Sequence, residues 1–247
     1  MVAAETPVLK KKFWLRRLAG DLADDFKRAR GAMDTPRRRV MGHVESLFID
    51  HAVFRLAYLN RHRLSDKMFR AAQPTPGQIR DLAAAGIKTI VNLRGSRDCA
   101  SYILEEEACR RYGVALVNFP IKSRDMPSKQ NLHRAREIFD SIAYPALLHC
   151  KSGADRAGLM SVLYLLVHEG QTLEQALKHL SWRYGHIKQA KTGMLDYFFE
   201  LYAAANQKSP IGFYDWVDNV YDPEAAKQGF TAGVWASRLV DGVLKRE

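Results

Sequence analysis

The chain has 247 residues, of which 47% are hydrophobic and 26% charged, so its composition is that of a globular protein and excludes a low-complexity or fibrous chain. Its formal net charge of +11 favours anionic partners. The three cysteines (Cys99, Cys109 and Cys150) form no CxxC pair, which argues against a disulfide framework or a zinc site. No apolar run reaches the ~18 residues that cross a bilayer. No apolar segment of a secretion signal follows the N-terminal charges, so we expect a cytoplasmic location.

The composition divides the chain into three parts. Residues 1–45 form a basic extension, residues 46–206 a core domain, and residues 207–247 an aromatic-rich helical extension. Residues 1–40 hold eleven Lys/Arg and five Asp/Glu, so more than half of the net charge lies there.

An amphipathic helix is predicted in the basic extension, within residues 8–28. Leu15, Leu18, Leu22 and Phe26 fall on one stripe of this helix, and lysines and arginines cluster at its start. Such a helix contacts an anionic membrane, which would place the protein peripherally on the inner face of the membrane. A helix packed on its own domain, with a solvated basic face, fits the same pattern.

Strands and helices alternate along the core domain. In "PTPGQIRDLAAAGIKTIVNLRG", Thr75 is an N-cap, Pro76 the first helical residue and Gly86 the helix end, and a buried strand follows over residues 87–92. The pattern continues with helices over residues 101–112, 128–141 and 156–168, strands over 114–119 and 146–148, and a Thr172–Gln175 capping box that starts another helix.

This alternation predicts an α/β fold with a central, mainly parallel sheet flanked by helices. Functional sites in such folds lie at the carboxyl ends of the strands. Arg94, Asp125 and Cys150 each follow a predicted strand, so we expect them at one edge of the sheet.

The third strand runs into "HCKSGADRAG", residues 149–158, which has the composition of an anion cradle. Backbone N–H groups of a loop that closes on a helix start form a nest for an oxyanion. That environment favours the thiolate of Cys150, Gly153 allows a tight turn, and Arg156 can bind two phosphate oxygens. The arrangement suits attack on phosphorus through a phosphocysteine and requires no metal or cofactor.

The motif His149-Cys150-x5-Arg156 resembles the signature of the cysteine-dependent protein tyrosine phosphatase superfamily. The small size and the approach "GIKTIVNLRG" are similar to the dual-specificity and atypical bacterial members, and the resemblance covers residues 65–190. It implies a dual-specificity-phosphatase-like fold, with Cys150 as nucleophile and Arg156 as phosphate clamp. The loop residues Lys151, Ser152, Gly153, Ala154 and Asp155 would then bind the substrate.

The resemblance also implies a general acid on an upstream loop, and the matching residue is Asp125 in "PIKSRDMPS". Alternatively, Asp125 caps the helix that starts near Ser128. Asp98 and Asp155 are competing candidates, and Asp155 also fits a residue that binds a water or faces solvent.

Other residues near the motif have predicted roles. The family implies that His149 hydrogen-bonds backbone near the thiolate. Ala157 departs from the Ser or Thr that follows the arginine in most relatives, which puts the rate of phosphocysteine breakdown in doubt. Arg70 and Arg94 fit surface or structural ion pairs better than the site, and the remaining two cysteines fit plain thiols.

The expected partner is a phosphorylated substrate, either a phosphotyrosine protein or a membrane lipid phosphate. Lipid A phosphate, phosphatidylglycerol phosphate and a phosphoinositide are the lipid candidates. The alternatives of another class are a phosphate-binding pseudophosphatase, a sulfurtransferase and an arsenate reductase. We expect no nucleic acid partner. The aromatic residues of the C-terminal extension, such as Phe213 and Trp216, have helical spacing that favours packing against the core.

Overall fold

The computed structural model describes residues 59–231. The predicted amphipathic helix in residues 8–28 lies outside this range, as do residues 232–247. Membrane contact by residues 8–28 therefore stays a prediction.

A five-stranded sheet forms the centre of the described part of the chain, with strand order β1-β2-β5-β3-β4. β1 is antiparallel to β2, whereas β2, β5, β3 and β4 run parallel. The central strand β5 is buried along its whole length, as a strand covered on both faces requires. The strands are β1 (His62–Arg63), β2 (Met68–Ala72), β3 (Thr89–Asn92), β4 (Ala115–Asn118) and β5 (Ala146–Cys150).

Helices connect and flank the strands. They are α1 (Pro76–Ala84), α2 (Ala100–Tyr112), α3 (Lys129–Ser141), α4 (Asp155–Leu163), α5 (Leu173–Leu177), α6 (Met194–Lys208) and α7 (Phe213–Asn219), and residues 223–231 are also helical. The mainly parallel α/β architecture predicted from the sequence is confirmed.

Local sequence signals explain several helix ends. Thr75 and Gln78 form a capping box at the start of α1, and Gly113 ends α2 in the left-handed conformation with φ = 69°. The helix predicted over residues 156–168 differs from the prediction. α4 ends at Leu163, and Tyr164–His168 form a wider π-helical turn that brings the rings of Tyr164 and His168 to 5.1 Å.

Side chains alternate between the two faces of the sheet. Leu147 packs with α1 and α2 on one face, whereas Leu148 packs with α3, α4, α6 and α7 on the other. Phe213 and Trp216 belong to this second cluster, so the described part of the C-terminal extension packs against the core. None of the helices within residues 59–231 is both long enough and apolar enough to cross a membrane.

Candidate active site

The parallel strands bring the predicted site segments to one edge of the sheet. Cys150 is the last residue of β5, the loop after β3 begins beside it, and the loop after β4 begins one strand further along the same edge. The carbonyl of Leu93, just past β3, accepts hydrogen bonds from the N–H of Ile121 at 3.3 Å and from Nη1 of Arg156 at 3.4 Å. The start of the loop that carries Asp125 is therefore tied to the same carbonyl as the motif arginine.

The loop after Cys150 turns sharply at Gly153. This glycine has φ = 75°, and a Cβ at this position would lie 2.7 Å from the backbone nitrogen of Ala72. Both the positive φ and the close approach of β2 therefore require glycine here. Cys150 itself is only 2% exposed, so its thiol lies at the base of the loop.

Three consecutive carbonyls of the loop are held from outside. The Ser152 carbonyl accepts from Nδ2 of Asn60 at 3.0 Å, and the guanidinium of Arg70 donates to the carbonyls of Gly153 and Ala154. The N–H of each peptide points opposite to its carbonyl. The three amides that follow these carbonyls therefore point away from Asn60 and Arg70, as an anion cradle requires. Within residues 59–231, none of these three amides donates to another residue.

Arg70 is fully buried and acts on the loop backbone, which corrects the expectation of an ion pair. Its guanidinium also donates to the carbonyl of His179 and lies over the ring of Tyr184 at 4.3 Å. Burial lowers the pKa of Arg70 to about 10, although the charge of Cys150 acts in the opposite direction. Arg70 therefore stays a cation near neutral pH.

Arg156 lies in the first turn of α4. Its bond to the Leu93 carbonyl is the one hydrogen bond that its guanidinium makes with the described residues. Most of its five N–H donors therefore remain for an anion.

A buried polar network lies behind Cys150. Nε2 of His149 is 2.6 Å from Oε1 of Glu105, and both side chains are completely buried. Oε2 of Glu105 accepts from Gln73 at 2.7 Å, and Oε1 of Gln73 accepts from Arg94. Nδ1 of His149 lies 3.3 Å from the Cys150 carbonyl. The network joins the ends of three strands to α2 and fixes the ring that adjoins the cysteine.

Sequence reasoning missed Glu105, although a signal was present. Ser101, Leu104, Glu105 and Ala108 have the spacing of one buried helix face, and all four are buried in α2. A carboxylate on such a face needs a partner, because an isolated buried charge is strongly unfavourable.

Asp155 pairs with a buried histidine, which corrects the expectation that its carboxylate simply faces solvent. Its carboxylate lies 2.7 Å from Nδ1 of His186, and Nε2 of His186 lies 2.7 Å from Asp196. Burial opposes protonation of this ring, but the two carboxylates outweigh burial and raise the pKa of His186 to about 9. A charged histidine thus holds the loop to the start of α6.

Asp125 is held as a carboxylate. Lys227 lies 2.9 Å from Oδ1 and Lys122 lies 3.4 Å from Oδ2. The hydrogen bond from Lys227 is the main cause that lowers the pKa of Asp125. Asp125 does not cap α3, because the hydroxyl of Ser128 does so by accepting from the N–H of Asn131 at 3.2 Å.

A pocket of about 190 Å³ adjoins Asp125 and is floored by Leu159 and Met160 of α4. None of residues 150–156 lines this pocket, so it lies on the side of the Asp125 loop that packs against α4.

The remaining candidates have clear positions. Lys151 is partly buried in the loop, and Ala157 is completely buried, with its carbonyl accepting from the hydroxyl of Ser161 at 2.6 Å. Burial raises the pKa of the Cys109 thiol to about 12, which is typical of an unreactive thiol. Arg94 is buried, and its Nη1 donates to Oε1 of Gln73.

A family model described as "DSP-PTPase phosphatase fused to NAD+ Kinase" matches residues 57–194, which is more than half of the chain. The chain belongs to this dual-specificity family of the cysteine-dependent protein tyrosine phosphatase superfamily. The resemblance inferred from the motif is thereby confirmed.

Similar proteins include the dual specificity protein phosphatase TpbA of Pseudomonas aeruginosa strain UCBPP-PA14, which is 25% identical over 125 residues. That match covers 49% of this chain and 53% of TpbA, so the chain spans about half the length of this curated relative. The crystal structure of P. aeruginosa TpbA has a TM-score of 0.46 at 21% identity, with 60% of this chain and 92% of TpbA covered. The crystal structure of PTPMT1 has a TM-score of 0.44 at 17% identity, with 60% and 99% covered.

Proposed function

We propose that this chain hydrolyses phosphomonoesters through a phosphocysteine at Cys150. The observation that carries the proposal is the preformed cradle: a cysteine at the end of β5, three loop carbonyls held outwards, and the guanidinium of Arg156 at the first turn of α4. Inward amides and a positive side chain match the equatorial oxygens of a transferring phosphoryl group.

The reaction has two displacement steps. The Cys150 thiolate attacks phosphorus, the P–O ester bond breaks, and the leaving oxygen takes a proton from an acid. A water then attacks phosphorus, the same group accepts the proton of that water, and the P–S bond breaks to return the thiolate and release inorganic phosphate. All groups used belong to this chain.

Asp125 is our candidate for the acid and base. Its loop begins beside Arg156, and a pocket adjoins its carboxylate. The two lysines that lower its pKa reduce the protonated fraction at neutral pH, so we expect acid assistance to strengthen as the pH falls.

The substrate is a phosphomonoester, which a protein or a membrane lipid could carry. The name of the Pseudomonas relative supports a phosphoprotein. The net charge of +11 supports either anionic substrate. A phosphate-binding pseudophosphatase is the second candidate, and the buried Ala157 favours it because this position offers no hydroxyl to assist breakdown of the intermediate.

Release of phosphate from a soluble aryl phosphate by the full chain tests the proposal. We expect Cys150→Ser to lose turnover but keep phosphate-ester binding, and Cys99→Ser to keep both as the matched control. Turnover by Cys150→Ser would refute the phosphocysteine, and substrate binding without turnover by the wild-type chain would establish the pseudophosphatase.

A leaving-group series tests the acid. We expect Asp125→Asn to slow esters with poor leaving groups much more than activated aryl esters, because only the former need a proton. Asp98→Asn tests the competing candidate, and Asp81→Asn in α1, whose side chain is 65% exposed, serves as the matched control. Equal losses on both ester types for Asp125→Asn would move the acid role to another residue.

A further inference from the structure

The segment "KHLSWRYGHIKQAK", residues 178–191, contains four Lys/Arg and no Asp or Glu. Lys188 pairs with Glu200 at 2.6 Å. The other three cations, Lys178, Arg183 and Lys191, are exposed and form no ion pair with residues 59–231. We call this segment the basic rim, because it lies beside the cradle and presents charge of one sign.

Two large apolar side chains project from the basic rim. Trp182 is 85% exposed and Ile187 is 58% exposed. A tryptophan is usually well buried, and an exposed one among cations is typical of a side chain that enters the interfacial layer of a membrane. No other residue among the large hydrophobic side chains of residues 59–231 is as exposed as Trp182.

The basic rim is fastened to the cradle by polar contacts. Nδ2 of Asn60 donates at 3.0 Å to both the Ser152 carbonyl of the cradle and the Tyr184 carbonyl of the rim. His186 of the rim is held by Asp155 of the cradle at 2.7 Å. A surface that contacts Trp182 is therefore held in a fixed position relative to the phosphate cradle.

Arg70 adds a third connection of the same kind. Its guanidinium donates both to the His179 carbonyl of the rim and to the Gly153 carbonyl of the cradle. Because these contacts come from buried groups, the rim does not behave as a loosely tethered loop.

We propose that the basic rim docks on an anionic phospholipid bilayer, with Trp182 and Ile187 in the interfacial layer and the exposed cations against lipid phosphates. This inference rests on the proposed function and extends it, since docking presents lipid phosphomonoesters to Cys150. Charge of one sign around two projecting apolar tips matches the headgroup layer, which is negative outside and apolar just below.

Vesicle co-sedimentation of the full chain in a Cys150→Ser background tests the docking. The probes are vesicles of phosphatidylcholine mixed with phosphatidylglycerol, and vesicles of phosphatidylcholine alone. We expect anionic binding to weaken about tenfold for Trp182→Ala, and about tenfold for the charge reversal Arg183→Glu. Val220→Ala is the matched control for an exposed apolar side chain, and Lys208→Glu is the control for an exposed cation outside the rim; both should bind like the parent.

Hydrolysis supplies the second readout, in the otherwise wild-type chain. We expect Trp182→Ala to lower the rate on phosphatidylinositol phosphate in anionic vesicles about tenfold relative to the rate of the same preparation on a soluble aryl phosphate. Because the readout is a ratio, a loss of folded protein does not produce it.

The outcomes separate the two proposals. Equal vesicle binding by parent, Trp182→Ala and Arg183→Glu would overturn the docking inference, as would a Trp182 effect seen with a phosphoprotein substrate and not with vesicles. Vesicle binding that depends on Trp182, in a chain that hydrolyses no soluble phosphomonoester, would refute the proposed function and leave the docking supported.

Discussion

The contacts of buried His186 with two carboxylates offer the sharpest test of what stabilises the cradle loop. His186 lies 2.7 Å from both Asp155 and Asp196, and its side chain is 1% exposed. The two carboxylates therefore stabilise the charged ring in the folded chain and not in the unfolded chain. Its pKa rises from 6.5 to about 9 on folding, and a tenfold change in proton affinity corresponds to about 1.4 kcal/mol. The protonated histidine therefore stabilises the fold by about 3 kcal/mol.

The sign of the pH dependence follows from the direction of the shift. Below pH 6.5 the ring is protonated in both states, and the stabilisation is fully present. Between pH 6.5 and about 9 the folded state binds more protons than the unfolded state, so the free energy of unfolding falls as the pH rises. We therefore expect His186→Gln to be about 3 kcal/mol less stable than the wild-type chain at low pH, with that difference disappearing above about pH 9.

Urea unfolding across this pH range measures the difference. His133→Gln is the matched control, because His133 lies 2.7 Å from Asp218 but is 40% exposed, and an exposed pair contributes at most about 1 kcal/mol. A wild-type-to-His186→Gln difference that does not change with pH, or that is no larger than the His133→Gln difference, would refute the reasoning.

Three further predictions concern the cradle and the acid. Gly153→Ala should abolish aryl phosphate hydrolysis and lower stability by more than Gly170→Ala, because both glycines have positive φ but only Gly153 meets backbone within 3 Å; thermal unfolding and phosphate release check this. Arg70→Lys should weaken inhibition by inorganic phosphate about tenfold, because a lysine cannot bind all the carbonyls that Arg70 holds; unchanged inhibition would mean that the loop keeps its shape without them. Lys227→Ala should raise the rate on poor leaving groups at neutral pH, because removing this cation raises the pKa of Asp125; a rate that falls or stays constant would argue against Asp125 as the acid.

Much of the fold could be predicted because its signals are local. The Thr75 and Thr172 capping boxes, the glycine after α2 and the buried run of β5 each lie within a few residues of the element they define. Strands β1 and β2 and the π-helical turn after α4 were not predicted, because strand pairing and ring packing, rather than local pattern, determine them.

The proposed reactive residues are close together in the sequence, whereas the residues that support their loop are distant from it. Cys150 and Arg156 lie in one short motif, in which a nucleophile and a phosphate-binding cation are both needed for the proposed reaction. Asn60 lies 92 positions from the carbonyl it holds, and Arg70 lies 83 positions from its nearer loop carbonyl. Sequence spacing carries no information about contacts at such separation, so neither the bonds of Arg70 to the loop carbonyls nor the pairing of Asp155 with His186 could be predicted.

This division has a physical consequence for any Cys-x5-Arg motif. Outward carbonyls are unfavourable when buried without partners, and seven motif residues cannot supply those partners themselves. Here the partners are Asn60, two residues before β1, and Arg70 of β2. The motif therefore specifies which groups react, whereas the distant residues specify whether the loop amides face the phosphate before it binds. A variant that keeps the motif but loses Asn60 or Arg70 would have to order the loop when phosphate binds. The entropy lost in that ordering reduces the binding free energy, so we expect the variant to bind phosphate more weakly.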